Sequence, residues 1–191
     1  MTGAIFAFVG IGVFLFVLIL VLIVAGMYNG LVRGRNETKN AWAQIDVQLK
    51  RRHDLIPNLV ETVKGYAAHE KGTLDAVIQA RNGAVAASGS GPAGRAEAEN
   101  MLTQTLGRLF ALAEAYPNLK ANENFMALQS ELTGTEDKIA YSRQFYNSAV
   151  QTLNTSIQSF PTNIIAGMGG FKLADFFETA EGERGPVQVR F

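Results

Sequence analysis

The sequence predicts an all-α protein. It consists of an N-terminal transmembrane helix over 4–28, an elongated antiparallel helical bundle of three to four long helices over 29–160, and a mostly irregular, apolar C-terminal tail over 161–191. Three observations predict it. Ala4 to Met27 contains no charged side chain. Apolar residues then recur at alternating steps of three and four through most of the chain up to Phe160, the period of a helix with one buried face. Nothing before the final VQVRF, which alternates weakly, reads as a strand.

Composition narrows the chemistry. With 191 residues the chain is long enough for one domain and short for two. Its 17 basic and 17 acidic side chains balance, so no bulk electrostatic attraction to nucleic acid is expected. There is no cysteine, which removes disulfides, thiol nucleophiles and thiolate metal sites. A cysteine-free chain also suits a reducing compartment.

The first element reads AIFAFVGIGVFLFVLILVLIVAGM, and about 20 apolar residues suffice to cross the hydrocarbon core as a helix. A cleaved signal peptide would carry a basic leader, a shorter apolar run and a small-residue cleavage site, whereas Met1-Thr2-Gly3, with no basic side chain, precede this run. Arg33, Arg35 and Lys39 follow the span, which predicts an N-terminus outside and a cytoplasmic C-terminal part. Gly3, Gly10, Gly12 and Gly26 form no clean GxxxG pair, so dimerisation through the span is not signalled.

The bundle begins near Asn36. Trp42, Ile45, Leu49, Ile56, Leu59, Val63 and Tyr66 make one stripe, and Leu74, Val77 and Ile78 continue the pattern to about Ala87. Gly72-Thr73 can divide this stretch into two helices, or one helix can run through it. SGSGPAG over 88–94 predicts a flexible loop; it lacks the Lys-Ser/Thr ending and preceding strand of a phosphate cradle. Ala96–Tyr116 is the next helix, with Ala98, Leu102, Leu106, Leu109, Ala113 and Tyr116 on one face, and Pro117 stops it. The last long helix starts near Asn122 and ends at Phe160-Pro161. Roughly 38 residues make it about 57 Å long at 1.5 Å per residue.

The first bundle helix carries the charged run Lys50-Arg51-Arg52-His53-Asp54, followed by Pro57. At 100° per residue, Lys50, Arg51, Asp54 and Glu61 fall on the polar side. Arg52 falls within about 20° of the centre of the apolar stripe. A cation there must snorkel, pair or face another chain. Glu136 and Arg143 lie at the edge of the apolar stripe of the last helix, with Asn147 and Asn154 flanking it. These residues predict a structural polar core of Arg52, Glu136 and Arg143, with Arg52 paired to Glu136. Pro57 cannot donate to the carbonyl of His53 and so predicts a kink. His53 reads as a flank histidine near that kink rather than a base or ligand, and His69 as exposed.

No cofactor and no metal are expected. A carboxylate-bridged metal bundle needs Glu-x-x-His pairs, and Lys50 and Tyr66 occupy the positions three before His53 and His69. No Ser-His-Asp logic and no G-x-S-x-G occur, so no catalytic residue is assigned.

Several stretches together are specific: YNGLVRGRN (28–36), NAWAQIDVQLKRRHDLIPNLVETVKGYAAHE (40–70), AENMLTQTLGRLFALAEAYPNLKANENFMALQSEL (98–132), TEDKIAYSRQFYNSAVQTLN (135–154) and FPTNIIAGMGGF (160–171). Along nearly its whole length the chain resembles the LemA family. The resemblance implies a bacterial inner-membrane protein with one N-terminal span and a cytoplasmic antiparallel helical bundle. It supplies no reaction. Magnetosome-associated relatives imply membrane organisation, and association of the family with membrane proteases and envelope factors implies quality control.

The tail holds Ile164, Ile165, Met168, Phe171, Leu173, Phe176 and Phe177, too many apolar groups for an idle linker. It packs on the bundle or on a neighbouring subunit, with interfacial membrane contact as a third reading. Tyr141 and Phe145 fall off the apolar stripe of the last helix and join Phe171, Phe176 and Phe177 as an expected partner interface. The function expected from these features is a membrane-anchored, non-enzymatic helical protein that self-associates as a homo-oligomer. It would scaffold or shape the inner membrane and its complexes. The alternatives are an adaptor for a membrane protease or other envelope partner, and an enzyme with an unrecognised helical site.

Overall fold

The fold is that of a computed structural model, which describes residues 2–177; the VQVRF motif lies outside the described residues. Most of those residues are helical, with no strand among them. The helices are α1 (Thr2–Lys64), α2 (Lys71–Ala86), α3 (Gly91–Ala113), α4 (Pro117–Lys120), α5 (Glu123–Gln158) and α6 (Thr162–Met168). A single 3-10 turn, Ala87–Gly89, joins α2 to α3. The chain divides into two compact units. Among the described residues, unit 1 holds 2–40 and 148–174, and unit 2 holds 41–147 and 175–177.

In unit 2 the side-chain pairings fix the helix directions. Trp42 meets Tyr146, Arg51 meets Glu131 and Tyr66 meets Asn122, so α1 and α5 run antiparallel. Arg81 reaches back to His53, which makes α2 antiparallel to α1. Arg95 pairs with Asp46 and Thr103 with Arg52, so α3 runs with α1. The four segments thus alternate up and down, as short connections between neighbours demand.

The core forms where their apolar stripes meet. Leu59 and Val63 of α1, Val77 and Ala84 of α2, Leu102 and Leu109 of α3, and Phe125 and Leu132 of α5 are all buried. Leu119 of the one-turn α4 seals one end and is itself buried.

Unit 1 is built on the N-terminal part of α1, the end of α5, and α6. Leu31, Val150, Leu153 and Ala166 are buried within it. A Cβ added at Gly34 would lie 3.4 Å from Leu153 Cδ1, so the two long helices approach closely there. From Ile11 to Val24, by contrast, the large apolar side chains of α1 are exposed on every side. This stretch lies within the part of α1 that is long and apolar enough to cross a membrane.

Several boundaries differ from the sequence reading. The expected span and first bundle helix are one element, α1, which ends at Lys64; the chain leaves the helix at Gly65 and re-enters at Lys71. The break is therefore a turn before Gly72-Thr73, held by Ala67, whose methyl is buried in the core. The expected loop over 88–94 is mostly structured, because α3 starts at Gly91 with Pro92 in its first turn, where a missing N–H costs nothing. Asn122 Oδ1 accepts from the Phe125 N–H at 2.9 Å and caps α5, which supplies the start signal. The tail is less irregular than expected, since it contains α6. Tyr66 and Ile78 leave the stripe assigned to them and are exposed.

That last difference is testable. Leu109→Ala should destabilise the protein by about 2–5 kcal/mol, the usual cost of a cavity at a buried leucine. Ile78→Ala, at a side chain 40% exposed, should cost about 1 kcal/mol or less. Equal costs in urea titrations would contradict the packing.

Candidate functional site

The charged run on α1 leads to the centre of unit 2. Arg52 is placed on the buried face, and its exposure is 0%. Moving a guanidinium out of water is costly unless every donor finds an acceptor. Two helices supply acceptors for both Nη groups, while the buried Nε has none among the described residues. Nη1 donates to Thr103 Oγ1 at 2.9 Å and to Glu136 Oε2 at 2.5 Å. Nη2 donates to the Glu99 carboxylate and, at 3.4 Å, to the Glu99 carbonyl. Thr103 Oγ1 also donates to its own helix at the Glu99 carbonyl, 3.1 Å away.

Glu99 of α3 is the hub. It is 0% exposed and faces three cationic or donating side chains. Besides Arg52, His53 Nε2 lies 3.0 Å from its Oε1 and 3.3 Å from its Oε2. Arg95, one turn earlier on α3, brings its Nε to 3.8 Å from Oε1. Burial alone would push the Glu99 carboxyl up. The hydrogen bond from His53 and the charge and hydrogen bond of Arg52 outweigh it, and the group sits below the usual carboxylate range. Arg95 is itself buried, donates from Nη1 to Asp46, and lies with its guanidinium 5.5 Å from the centre of the Trp42 ring.

A second feature adjoins the cluster. Pro57 stands inside α1 and has no N–H for the carbonyl of His53 four residues back. Arg81 of α2 supplies the missing donor, with Nε 2.7 Å from that carbonyl oxygen. His53 is thus fixed at both ends: its ring by Glu99, its carbonyl by Arg81.

The cluster opens to one side. Glu136 is 39% exposed at its side chain. With Arg52, Thr103, Phe110, Thr133 and Asp137 it borders a cleft of about 250 Å³. The acidic, basic and hydroxyl groups of Glu136, Arg52 and Thr103 on its wall are already engaged with one another. Among the described residues, no group of three or more His, Asp or Glu side chains could hold a metal ion.

The expected site residues are placed as follows. Arg52 and Glu136 come together. Arg143, expected in the same layer, has its guanidinium 4.9 Å from the centre of the Phe177 ring. Phe177, expected at a partner interface, is instead fully buried, with its ring 5.6 Å from that of Trp42. Asn147 holds it there, with its amide donating to the Phe177 carbonyl at 3.0 Å and accepting from its N–H at 2.9 Å. Tyr146 donates to the Asp175 carbonyl at 2.8 Å, and burial, helped by the Asp175 charge, pushes its phenol up to about 12. Phe171 is partly buried against Tyr28 in unit 1. Tyr141, Phe145 and Phe176 remain exposed. His53 is not a flank residue but a buried one, and His69 is exposed.

Sequence reasoning missed Glu99, Arg95, Arg81 and the role of Asn147. One signal was available: Arg95, Glu99 and Thr103 recur at intervals of four, a polar stripe beside Leu102 and Leu106.

The chain has relatives among known proteins. A sequence profile of the LemA family matches residues 41–191. Magnetosome protein MamQ 2 of Paramagnetospirillum magneticum is 29% identical over 176 residues, which cover 79% of this chain and 64% of that protein. Magnetosome protein MamQ of Magnetospirillum gryphiswaldense is 26% identical over 175 residues, covering 78% and 64%. Protein LemA of Metamycoplasma hominis is 28% identical over 169 residues, covering 87% and 76%. The chain therefore spans just under two thirds of the length of the magnetosome proteins it matches.

The hub has a pH signature. The Glu99 carboxyl is lowered in the folded state relative to its ordinary value near 4.5. Its contribution to stability is therefore fully present above that value and is lost as pH falls through the folded one. Urea midpoints should drop with acidification below pH 4.5. In Glu99→Gln the drop should be shallower, on a protein already weakened at neutral pH by up to about 3 kcal/mol because the buried Arg52 keeps Glu136 alone as its charge partner. An unchanged acid limb would contradict the hub.

The Arg81 contact gives a double-mutant cycle. Arg81→Met should cost about 1.5–3 kcal/mol, the range for a charged hydrogen bond. In a Pro57→Ala background the substituted backbone regains an N–H that can reach the His53 carbonyl, and the cost should shrink markedly. Strict additivity would show that Arg81 does not serve that carbonyl.

Proposed function

The chain belongs to the LemA family, and from that membership we propose that it is a single-span, membrane-anchored, non-enzymatic helical protein. In this reading it self-associates and scaffolds or shapes the inner membrane and its complexes. The observation that carries the proposal is α1: one helix holds both an exposed apolar run, Ile11 to Val24, and the buried Arg52. A helix that is apolar on all sides suits hydrocarbon, not water. Arg33, Arg35 and Lys39 after that run favour a cytoplasmic position for residues 29–191. Two of the relatives are named as magnetosome proteins, which supports a role at a membrane.

The charged cluster of unit 2 fits an architectural task, since Arg52, Glu99, Thr103 and Glu136 are engaged with one another. Tyr141 and Phe145, four residues apart on α5, are both exposed and offer aromatic anchors for contact between copies. The same exposed pair, with Lys50 and Asp54 exposed on α1, favours the second reading, an adaptor for a membrane protease or envelope partner.

The mass of the full-length protein in mild detergent or nanodiscs separates the two. A defined homo-oligomer that dissociates in Tyr141→Ala/Phe145→Ala is the expected result. A monomer at micromolar concentration overturns self-association. Stoichiometric co-purification of a different protein, lost in the same variant, would turn the reading to the adaptor.

A further inference from the structure

We infer that residues 160–173 form a second membrane element, an interfacial segment seated in the leaflet around the C-terminal end of the span. The inference rests on the reading of α1 as a membrane span and names the partner of this segment as the lipid bilayer itself.

The argument begins with placement inside unit 1. α6 lies beside the apolar run of α1. The two border a groove of about 590 Å³, with Val17, Leu20, Val24 and Tyr28 on one wall and Ile165 and Met168 on the other. The eleven steps from Val17 to Tyr28 cover about 16 Å of helix, roughly half of a 30 Å hydrocarbon core. An element that borders that groove is brought to the level of the hydrocarbon core when α1 crosses a bilayer.

The segment has the composition for such a place. FPTNIIAGMGGFKL contains no acidic residue and one basic residue, Lys172, whose stem can carry its ammonium to the headgroups. Four of its large apolar side chains point outward. Phe160 is 81% exposed and Met168 84%, and Ile164 and Leu173 are exposed as well. In water this would be an uncovered apolar patch. In the acyl layer it is satisfied.

The level of the headgroups is marked by a separate set of contacts. The Phe171 ring meets Tyr28 edge-on at a centroid distance of 5.7 Å, and the Arg35 guanidinium lies 5.0 Å over the same ring. Aromatic rings beside basic side chains are the usual composition of the membrane–water interface.

The segment is also built to hold this position. Gly170 turns the chain at φ +67, and a Cβ on Gly169 would meet the Phe171 ring at 2.8 Å. Beyond the turn, the Asn154 amide grips the backbone of Ala174 in both directions, donating at 2.9 Å and accepting at 2.9 Å.

Because the chain has no cysteine, single-cysteine variants report one site each. Phe160→Cys, Met168→Cys, Leu20→Cys and Met101→Cys of the full chain would be labelled with an environment-sensitive fluorophore. They would be reconstituted in nanodiscs of phosphatidylethanolamine and phosphatidylglycerol, with or without brominated acyl chains. We expect brominated lipid to quench the labels at 160 and 168 as it quenches that at 20, and to spare the label at 101, an exposed position of α3. Quenching at 20 without quenching at 160 and 168 overturns the interfacial segment and leaves the span standing. If those two labels are then also shielded from aqueous iodide, protein and not lipid covers them. No quenching at 20 overturns the span and the segment together.

Discussion

Unit 2 is organised around a buried positive charge. A guanidinium of zero exposure cannot be tolerated unless the surrounding helices supply acceptors at the right height and angle. Glu99 and Thr103 come from α3 and Glu136 from α5, so one side chain of α1 sets the register of two other helices. Leucine stripes alone tolerate sliding by a turn, because one leucine replaces another. A hydrogen-bonded arginine does not, since a slip of one turn leaves it without partners. The cluster therefore specifies a pairing of helices more than it adds stability, and a well-packed apolar substitute could be as stable.

The same logic covers the proline. An interior proline costs a helix about 3 kcal/mol or more, partly through an orphaned carbonyl. In α1 the Pro57 ring is exposed, and the orphaned carbonyl is answered by Arg81 from α2. Arginine suits both tasks because its planar donors remain charged and can serve separate acceptors at once. His53 lies between them, its ring toward Glu99 and its carbonyl toward Arg81. A helix containing both an inward charge and a proline is thus held by two neighbours, each through a different arginine geometry.

These features explain what could be read from the sequence. The helices were legible because each buries one stripe, and a stripe repeats with the period of the helix itself. Arg52 was legible for the same reason, as the one cation on such a stripe, and Glu136 because it stands at the edge of another. Glu99 was not, since a lone glutamate in a helix reads as solvated until its neighbours are known. Its partners Arg52 and His53 lie more than forty residues away in sequence. Arg81 was hidden likewise: the sequence shows that His53 needs a donor but not which helix provides it. The start of α3 was masked by the glycines and serines of residues 88–94, although Pro92 was a helix-start signal within them.

The tail shows why composition alone could not choose its surroundings. Seven apolar side chains demand cover, but cover can come from the same chain, another chain or lipid. Asparagine decides part of it. An amide side chain offers one donor face and one acceptor face, so it can clasp an extended backbone as a neighbouring strand would. Within unit 2, Asn147 does this to Phe177 and delivers its ring to Trp42 and Arg143, which removes that phenylalanine from any outer surface. Within unit 1, Asn154 does the same to Ala174. There the side chains just upstream, Met168 and Leu173, still point outward. A fixed backbone that keeps apolar groups exposed is not a loose end awaiting a core. The interfacial segment inferred above gives those groups lipid as their cover, beside an apolar helix of membrane-spanning length.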